Sequence, residues 1–319
     1  MAPIKSSLAR SATKLLGVFR DRDRSLRGLS QSSRESFVFK GGTKTSYEVS
    51  NTGYTVHTFL SSGTLEIVGA PATFTCDILV VGGGGAGGSG THSSYEAGGG
   101  GAGGMRVFPN HPVGDGTFAV TVGDGGTADI DYANVMGNFS NIAFPSPLRA
   151  EGGGAGGQHD VLGSGWGGSG GGCIRNGTAG GENRVAGPGW QGNPPVPASV
   201  PVQGNSGGAG LNNSASSAGG GGGGAGGAGA SYKGNNDGGD GGAGLQNDYR
   251  TGVNQFYAAG GGGCGFSQTT GPVGGSNIGG DGGDGTAGAT NTGSGGGGVG
   301  SGTGGNGGPG IVVIRYQTT

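Results

Sequence analysis

The chain has 319 residues, of which 90 are glycine and 31% are hydrophobic, so an ordinary hydrophobic core cannot account for its whole length. The glycines follow no strict G-X-Y period, which excludes a collagen triple helix. Only 11% of residues are charged and strand-like runs separate the glycine blocks, which favours a folded protein over the alternative of disorder. The net charge of −2 is uneven, because residues 1–40 carry nine Lys/Arg and three acids (9 − 3 = +6), leaving −8 elsewhere.

Residues 1–40 form a basic head that differs in composition from the rest. Apolar residues at near-helical spacing predict a short amphipathic helix over about residues 4–20. We interpret the head as a segment that docks its apolar face on a partner protein, with an organelle transit peptide and a nucleic-acid-binding segment as less favoured alternatives. The docking candidates are Ile4, Leu8, Leu15, Phe19, Arg24 and Arg27. We place a domain boundary near residues 35–45, which divides the chain into 1–40 and 41–319.

The next residues read as β-strands. Predicted strands cover 37–39, 54–59, 64–68 and 74–81, and residues 61–63 supply a turn, so we expect a small antiparallel sheet. Further strands are predicted at 105–108, 118–122 and 311–316. Residues 78–81 and 311–314 are short, continuously apolar and β-branched, as in strands buried on both faces. We therefore expect these two segments to lie side by side.

The stretch from Asp77 to Gly88, DILVVGGGGAGG, contains the G-x-G-x-x-G spacing of a dinucleotide-binding turn. The spacing recurs in glycine blocks along the chain, and serine and more glycine follow it where the fingerprint requires a helix. A dinucleotide-dependent oxidoreductase is therefore the least favoured hypothesis. The blocks instead predict extended segments with three residues per turn, packed by backbone hydrogen bonds into a polyglycine II bundle over about residues 77–317. The predicted fold class is mainly β.

No motif indicates catalysis, a cofactor or a metal. The three cysteines have no CxxC spacing, and no HExxH or GxSxG motif is present. Two Asp-Gly-Gly-Asp turns, at 237–240 and 281–284, could offer oxygens to calcium, but solvated turns are the favoured interpretation. No apolar run approaches the roughly 20 residues of a spanning helix, so we expect no membrane insertion.

The framing segments together resemble the glycine-rich domain of bacteriophage tail-fibre and adhesin proteins. They comprise YTVHTF at 54–59 with SSGT at 61–64, DILVVGGGG at 77–85, TVGDGG at 121–126 and GGPGIVVIRY at 307–316, so the resemblance spans about residues 50–317. The basic head resembles the N-termini of virion proteins of cyanobacterial and other marine phages. These resemblances imply a virion protein, commonly a homo-oligomer such as a trimer, that contacts a host surface receptor such as a glycan.

In the adhesins that the chain resembles, loops between the glycine rods carry receptor specificity. The equivalent positions are glycine-poor insertions in which aromatic residues concentrate. The candidate receptor contacts are His92, Tyr95, Trp166, Trp190, Tyr232, Tyr249, Phe256 and Tyr257. The alternative is that each ring covers the side of a bundle that has little else to bury. The sequence thus predicts a non-enzymatic tail fibre or adhesin, with a capsid decoration or minor head protein as the alternative.

Overall fold

The computed structural model describes residues 37–91, 96–130, 135–158, 165, 167–174, 203–213, 216–233, 237–265 and 271–318. The predicted N-terminal helix lies outside these residues. The described part is mainly β, as predicted, and a single 3-10 turn at Gly275–Asn277 is its only helical element. Its strands are β1 (Val38–Lys40), β2 (Thr43–Val49), β3 (Thr52–Phe59), β4 (Gly63–Val68), β5 (Thr75–Val81), β6 (Gly90–Thr91), β7 (Met105–Pro112), β8 (Gly116–Thr121), β9 (Ser140–Ile142), β10 (Leu148–Ala150), β11 (Leu211–Asn213), β12 (Ser216–Ala218), β13 (Leu245–Asn247), β14 (Gln255–Tyr257), β15 (Ser301–Gly302) and β16 (Ile311–Thr318).

Ten of these strands form two antiparallel sheets. Sheet I has the order β1-β4-β8-β9-β10, and sheet II has the order β2-β3-β16-β5-β7. The sequence predicted one small sheet, and this prediction was wrong, because β3 and β4 belong to different sheets. Both edges of β3 are occupied, by β2 and by β16, so residues 61–63 carry the chain across to sheet I and close no hairpin.

Strand β5 of sheet II is buried on both faces. Alternate side chains of β5, including Ile78 and Val80, point into one core with Leu65 and Ile67 of sheet I. The intervening side chains, Leu79 and Val81, point into a second cluster on the opposite face. This arrangement explains the continuously apolar sequence of the strand.

The two apolar strands at opposite ends of the glycine-rich region are direct neighbours, as predicted. β16 pairs antiparallel with β5, and the register runs from Ile311 opposite Val81 to Arg315 opposite Asp77. All four side chains from Ile311 to Ile314 are fully buried. The pair therefore closes the fold at the base of the glycine-rich region.

A glycine rod begins where β5 ends. Its N–H groups, from residues 82 to 88, bond in strict rotation to three neighbouring segments, at N···O distances of 2.8–3.2 Å. Residues 82, 85 and 88 donate to carbonyls of segment 98–104, at residues 104, 101 and 98 respectively. Residues 83 and 86 donate to residues 138 and 135, and residues 84 and 87 donate to residues 308 and 305. The rod therefore repeats every three residues and uses none of these N–H groups for bonds within itself.

The carbonyl groups of the same rod accept bonds from three further segments. Residues 153 and 156 bond to the carbonyls of 83 and 86, residue 126 bonds to 84, and residues 296 and 299 bond to 85 and 88. The rod thus has three neighbours that accept and three that donate. It runs parallel to 153–156 and antiparallel to 98–104, so both chain directions coexist in one lattice. Backbone hydrogen bonds take the place of a side-chain core in this part of the protein.

Candidate functional site

The opening glycines do not form a phosphate cradle. The N–H groups of Gly82, Gly84 and Gly87 are donated to the carbonyls of Gly104, Gly308 and Gly305. A phosphate-binding turn needs such N–H groups pointing at the ligand. The glycines of this stretch therefore serve backbone packing.

Arg315 is the centre of a charged and aromatic cluster on the outer face of sheet II, the face that points away from sheet I. Its Nε donates to Asp77 Oδ2 at 3.0 Å, and its Nη1 lies 3.4 Å from Asp248 Oδ1. The Nη1 also donates to the hydroxyl of Tyr47 at 2.9 Å. The guanidinium carbon lies 4.7 Å from the ring centroid of Tyr54 and 4.0 Å from that of Tyr249. The planar guanidinium therefore contacts two carboxylates and two ring faces at once.

This cluster holds an insertion of the glycine-rich region against the sheet. Asp248 and Tyr249 lie directly after β13, in the hairpin formed by β13 and β14, and Tyr47 from β2 donates its hydroxyl to the carbonyl of Tyr249 at 3.1 Å. Burial by itself would lower the pKa of Arg315, but its hydrogen bonds to Tyr47 and Asp77 outweigh burial and hold that pKa above its ordinary value. The guanidinium therefore stays charged, and the hairpin stays tied to the sheet.

A cleft of about 280 Å³ opens beside this cluster, where β16 extends further than β5. The pairing of β16 with β5 stops at Arg315, whereas its pairing with β3 continues to Thr318. Rings and polar groups line the cleft; they include Tyr54, Phe74, Asp77, Asn110, Arg315 and Tyr316. The cleft therefore combines half-buried aromatic rings with a carboxylate, an amide and a guanidinium.

One comparison with known proteins gives a match. A family model described as a glycine-rich domain matches residues 60–317. The chain belongs to the glycine-rich domain family. None of the curated proteins matches the chain. The match begins after β3, although β2 and β3 are integral strands of sheet II, so the structural unit extends before the residues that define the family.

The predicted receptor contacts of the glycine-rich domain have different environments. His92, Tyr95, Trp166 and Trp190 lie outside the described residues, as do all six docking candidates of the basic head. Phe256 is 39% exposed and Tyr232 is half-buried.

Tyr249 and Tyr257 differ from the prediction of exposed loop rings, because they are only 8% and 1% exposed. Both pack with Leu79, Val81 and Val313 on the outer face of sheet II. The glycine rods have almost no side chains that could cover this apolar face, so the β13–β14 hairpin supplies the covering side chains. The two rings cover apolar surface, as the alternative interpretation proposed, and are not accessible for receptor contact in this structure.

One carboxylate of each Asp-Gly-Gly-Asp turn bonds within the glycine-rich domain. Asp240 Oδ1 lies 2.6 Å from Lys233 Nζ and accepts the N–H of Val273, and Asp281 Oδ1 accepts the N–H of Gly274 at 2.7 Å. The described ranges contain no group of three or more His, Cys, Asp or Glu side chains arranged to hold a metal ion. They also contain no helix with the length and apolar character needed to cross a membrane.

Buried titratable side chains lie in the two five-stranded sheets and in the glycine-rich region. His57 is 1% exposed, its Nδ1 lies 2.7 Å from the carbonyl of Gly41, and burial lowers its pKa. All three cysteines are buried, and burial raises the pKa of the Cys76 thiol to about 12. A thiol with that pKa is almost wholly protonated at neutral pH and so a poor nucleophile.

Sequence reasoning missed Asp77, Asn110 and Arg315 as members of one site. A signal was available for two of them, since Asp77 immediately precedes one apolar run and Arg315 immediately follows the other. Antiparallel pairing of the two runs places these opposite charges face to face. Nothing in the sequence marks Asn110, because its place depends on an irregularity in the pairing of β5 with β7.

Proposed function

We propose that this chain is a non-enzymatic structural protein of a bacteriophage particle, a tail fibre or adhesin. The basic head, residues 1–40, attaches it to other virion proteins, and insertions of the glycine-rich domain contact the host surface. The glycine rods form a polyglycine II bundle that presents these insertions. As in the fibres that the chain resembles, the working assembly is a homo-oligomer, commonly a trimer.

The three-residue rotation of hydrogen bonds in the lattice is the observation that carries this proposal. A segment with three residues per turn and no internal hydrogen bonds has the geometry of polyproline and polyglycine II helices. Rod 82–88 has bonded neighbours on all sides, and an added Cβ at Gly82, Gly83, Gly84, Gly85 or Gly87 would collide with a neighbouring backbone. A lattice so closely bonded suits a rigid mount for loops and offers few side chains for chemistry.

Side chains available to a partner lie on the insertions between rods. The hairpin of β13 and β14 exposes Val253 (69%), Leu245 (45%) and Phe256 (39%). Exposed apolar side chains that are held by a rigid frame are suited to protein or glycan contact. The hairpin is tied to sheet II through Arg315, so it is already ordered before a receptor binds.

Cell binding tests the adhesin role of the hairpin. The full chain, fluorescently labelled, is applied to a panel of cyanobacterial and other marine bacterial cells, and binding is compared with that of the double variant Val253→Ser, Phe256→Ser. We expect at least about tenfold weaker binding if these side chains are contact hot spots. Val68→Ser is the matched control, because Val68 is also 39% exposed but lies in sheet I. Equal binding by the double variant and the control would contradict the hairpin as the contact.

Imaging tests the location on the particle. A gold label on the N-terminus of the chain in intact particles is expected at the tail or at a tail appendage. Label spread over the faces of the capsid would replace the fibre proposal with a decoration or minor head protein. Absence of label from purified particles would reject both.

A further inference from the structure

We infer that the cleft beside Arg315 is a binding site for a neutral saccharide ring, distinct from the hairpin contact surface. The inference stands on the cleft alone and does not depend on the proposed virion role. Three kinds of observation carry it: the way the cleft is built, the groups that line it and its charge.

The cleft is built by an irregularity in sheet II. Cys76 pairs with His111 and Ile78 pairs with Phe108, so two residues of β7, 109 and 110, lie opposite the single residue Asp77 of β5. This is a β-bulge, a feature that redirects side chains and is common beside functional sites. Asp77 Oδ1 accepts the N–H of the bulged residue Asn110 at 2.9 Å in place of a strand partner.

Asn110 has a left-handed backbone, with φ of 50°, inside a strand. A residue other than glycine pays a conformational penalty there, and such strain concentrates at functional sites. The bulge and the strained residue both lie on the wall of the cleft. A plain ladder between β5 and β7 would have no extra residue opposite Asp77 and no such wall.

The lining offers both surfaces that a sugar ring uses. Phe74 and Tyr316 are half-buried rings that pack edge to face, with centroids 5.4 Å apart, and an aromatic face packs against the apolar C–H face of a hexose. Tyr54 is a third half-buried ring, and the Arg315 guanidinium already covers one of its faces. Asp77 is a hydrogen-bond acceptor, Asn110 carries an amide, and the exposed Gln317 carries a second one. A volume of about 280 Å³ is near the lower end of small-molecule sites, which suits one ring-sized unit and not an extended chain.

The charge of the cleft disfavours anions. Arg315 and Asp77 are the charged residues that line it, and Arg315 is also paired with Asp248 outside the lining. One guanidinium thus faces two carboxylates, and no unmatched cation is left for a phosphate, a sulfate or an acidic sugar. A neutral polyhydroxylated ligand needs no unmatched cation, because its hydroxyl groups can both donate hydrogen bonds to the cleft and accept them.

Amide NMR spectra of the full chain test the inference. D-galactose and D-glucose are titrated against the protein, with glycerol as a probe that has hydroxyl groups but no ring face. We expect millimolar binding of a hexose that shifts the amides of Asn110 and Gln317, with no shift by glycerol. N-acetylneuraminic acid, an acidic sugar, is expected to bind no better than the neutral hexose.

Asn110→Gly is the decisive variant, because glycine adopts the left-handed backbone freely and the fold is kept. It removes the amide, and we expect roughly five- to tenfold weaker hexose binding, the effect of one lost hydrogen bond. Asn51→Gly is the matched control, since Asn51 is also left-handed, with φ of 64°, but does not line the cleft. Gln317→Ala, at an exposed position, is a second variant with the same expected direction.

Several results would overturn the inference. They are the absence of hexose-specific shifts at the cleft, equal binding by Asn110→Gly and Asn51→Gly, and tighter binding of the acidic sugar. Preferential binding of a capped tetra-alanine peptide, which could only pair along the open edge of β16, would assign the cleft to an extended peptide instead. None of these variants alters the hairpin, so failure here and failure of the cell-binding test are separate results.

Discussion

The substitution Gly85→Ala tests whether backbone packing holds the glycine lattice together. An added Cβ at Gly85 would lie 2.5 Å from the carbonyl carbon of Gly154 and closer still to its oxygen. Ordinary Cβ contacts lie at 3.4–4 Å, so the two segments must separate by more than 0.9 Å (3.4 − 2.5), because the oxygen is nearer than the carbon. The close neighbour is backbone and not a flexible side chain, so no rotamer change can relieve the contact.

Separation of the segments also disturbs two hydrogen bonds. The N–H of Gly85 donates to Gly101 at 2.8 Å, and its carbonyl accepts from Gly296 at 3.0 Å. Overpacking costs about 1–3 kcal/mol, and each buried backbone group left unpaired costs about 1–3 kcal/mol. With one unpaired group for each of the two bonds, we therefore expect the free energy of unfolding to fall by about 3–9 kcal/mol, a large part of the roughly 5–15 kcal/mol that stabilises a typical protein.

Gly114→Ala is the matched control. No heavy atom lies within 4 Å of the position its Cβ would occupy, and Gly114 is exposed. The change should be neutral or stabilise by about 0.4–1 kcal/mol, because alanine restricts the unfolded chain. Urea denaturation followed by circular dichroism compares the two variants through their midpoints. If Gly85→Ala unfolds within about 1 kcal/mol of Gly114→Ala, close backbone packing does not stabilise the lattice.

Two further predictions concern sheet II. Burial lowers the pKa of His57 below its model-peptide value of 6.5, so the unfolded chain binds the proton more readily than the folded one, and stability should fall as the pH drops through 6.5. His57→Gln should remove that part of the slope of unfolding free energy against pH, and an unchanged slope would assign it to another group. Arg315→Lys keeps the charge but cannot hold Asp77 and stack on Tyr54 and Tyr249 together, so we expect a loss of about 2–4 kcal/mol and faster proteolysis in the β13–β14 hairpin. Arg149 is the control, since it pairs with Glu151 and lies over the ring of Phe139, but its side chain is 47% exposed against 11% for Arg315. Arg149→Lys should change stability by less than about 1 kcal/mol, and an equal loss from both variants would refute a special role for Arg315.

Much of the frame follows from local sequence patterns. Alternating or continuously apolar runs with β-branched residues predict seven of the strands, and β5 and β16 pair as expected because no other segments are apolar enough to be buried on both faces. Strand β2 escapes prediction because it is mostly polar, with six of its seven residues exposed. The short strands β9 and β10 have three residues each, too few for a pattern to be recognised.

In the candidate site, too, local sequence predicts some features and misses others. The opposite charges of Asp77 and Arg315 follow from the antiparallel pairing of β5 and β16, but the bulge that sets Asn110 beside them does not. The sequence predicts Tyr249 and Tyr257 as exposed loop residues, but both are buried in the structure. They pack on an apolar face of sheet II that few other side chains cover. The exposure of a side chain depends on which distant segments pack on it, and the local sequence carries no information about those segments.

The amino-acid sequence is enough to predict that two apolar strands frame the glycine blocks, which have no side chains to pack. The neighbours of each block are known only from the folded structure. A glycine segment has no side chain to set its register, so rod 82–88 could pair equally well, as far as sequence goes, with any other block. Its actual neighbours are fixed because β5 and β16 bring residues 82 and 310 together at the base, and the hydrogen-bond rotation then propagates from there.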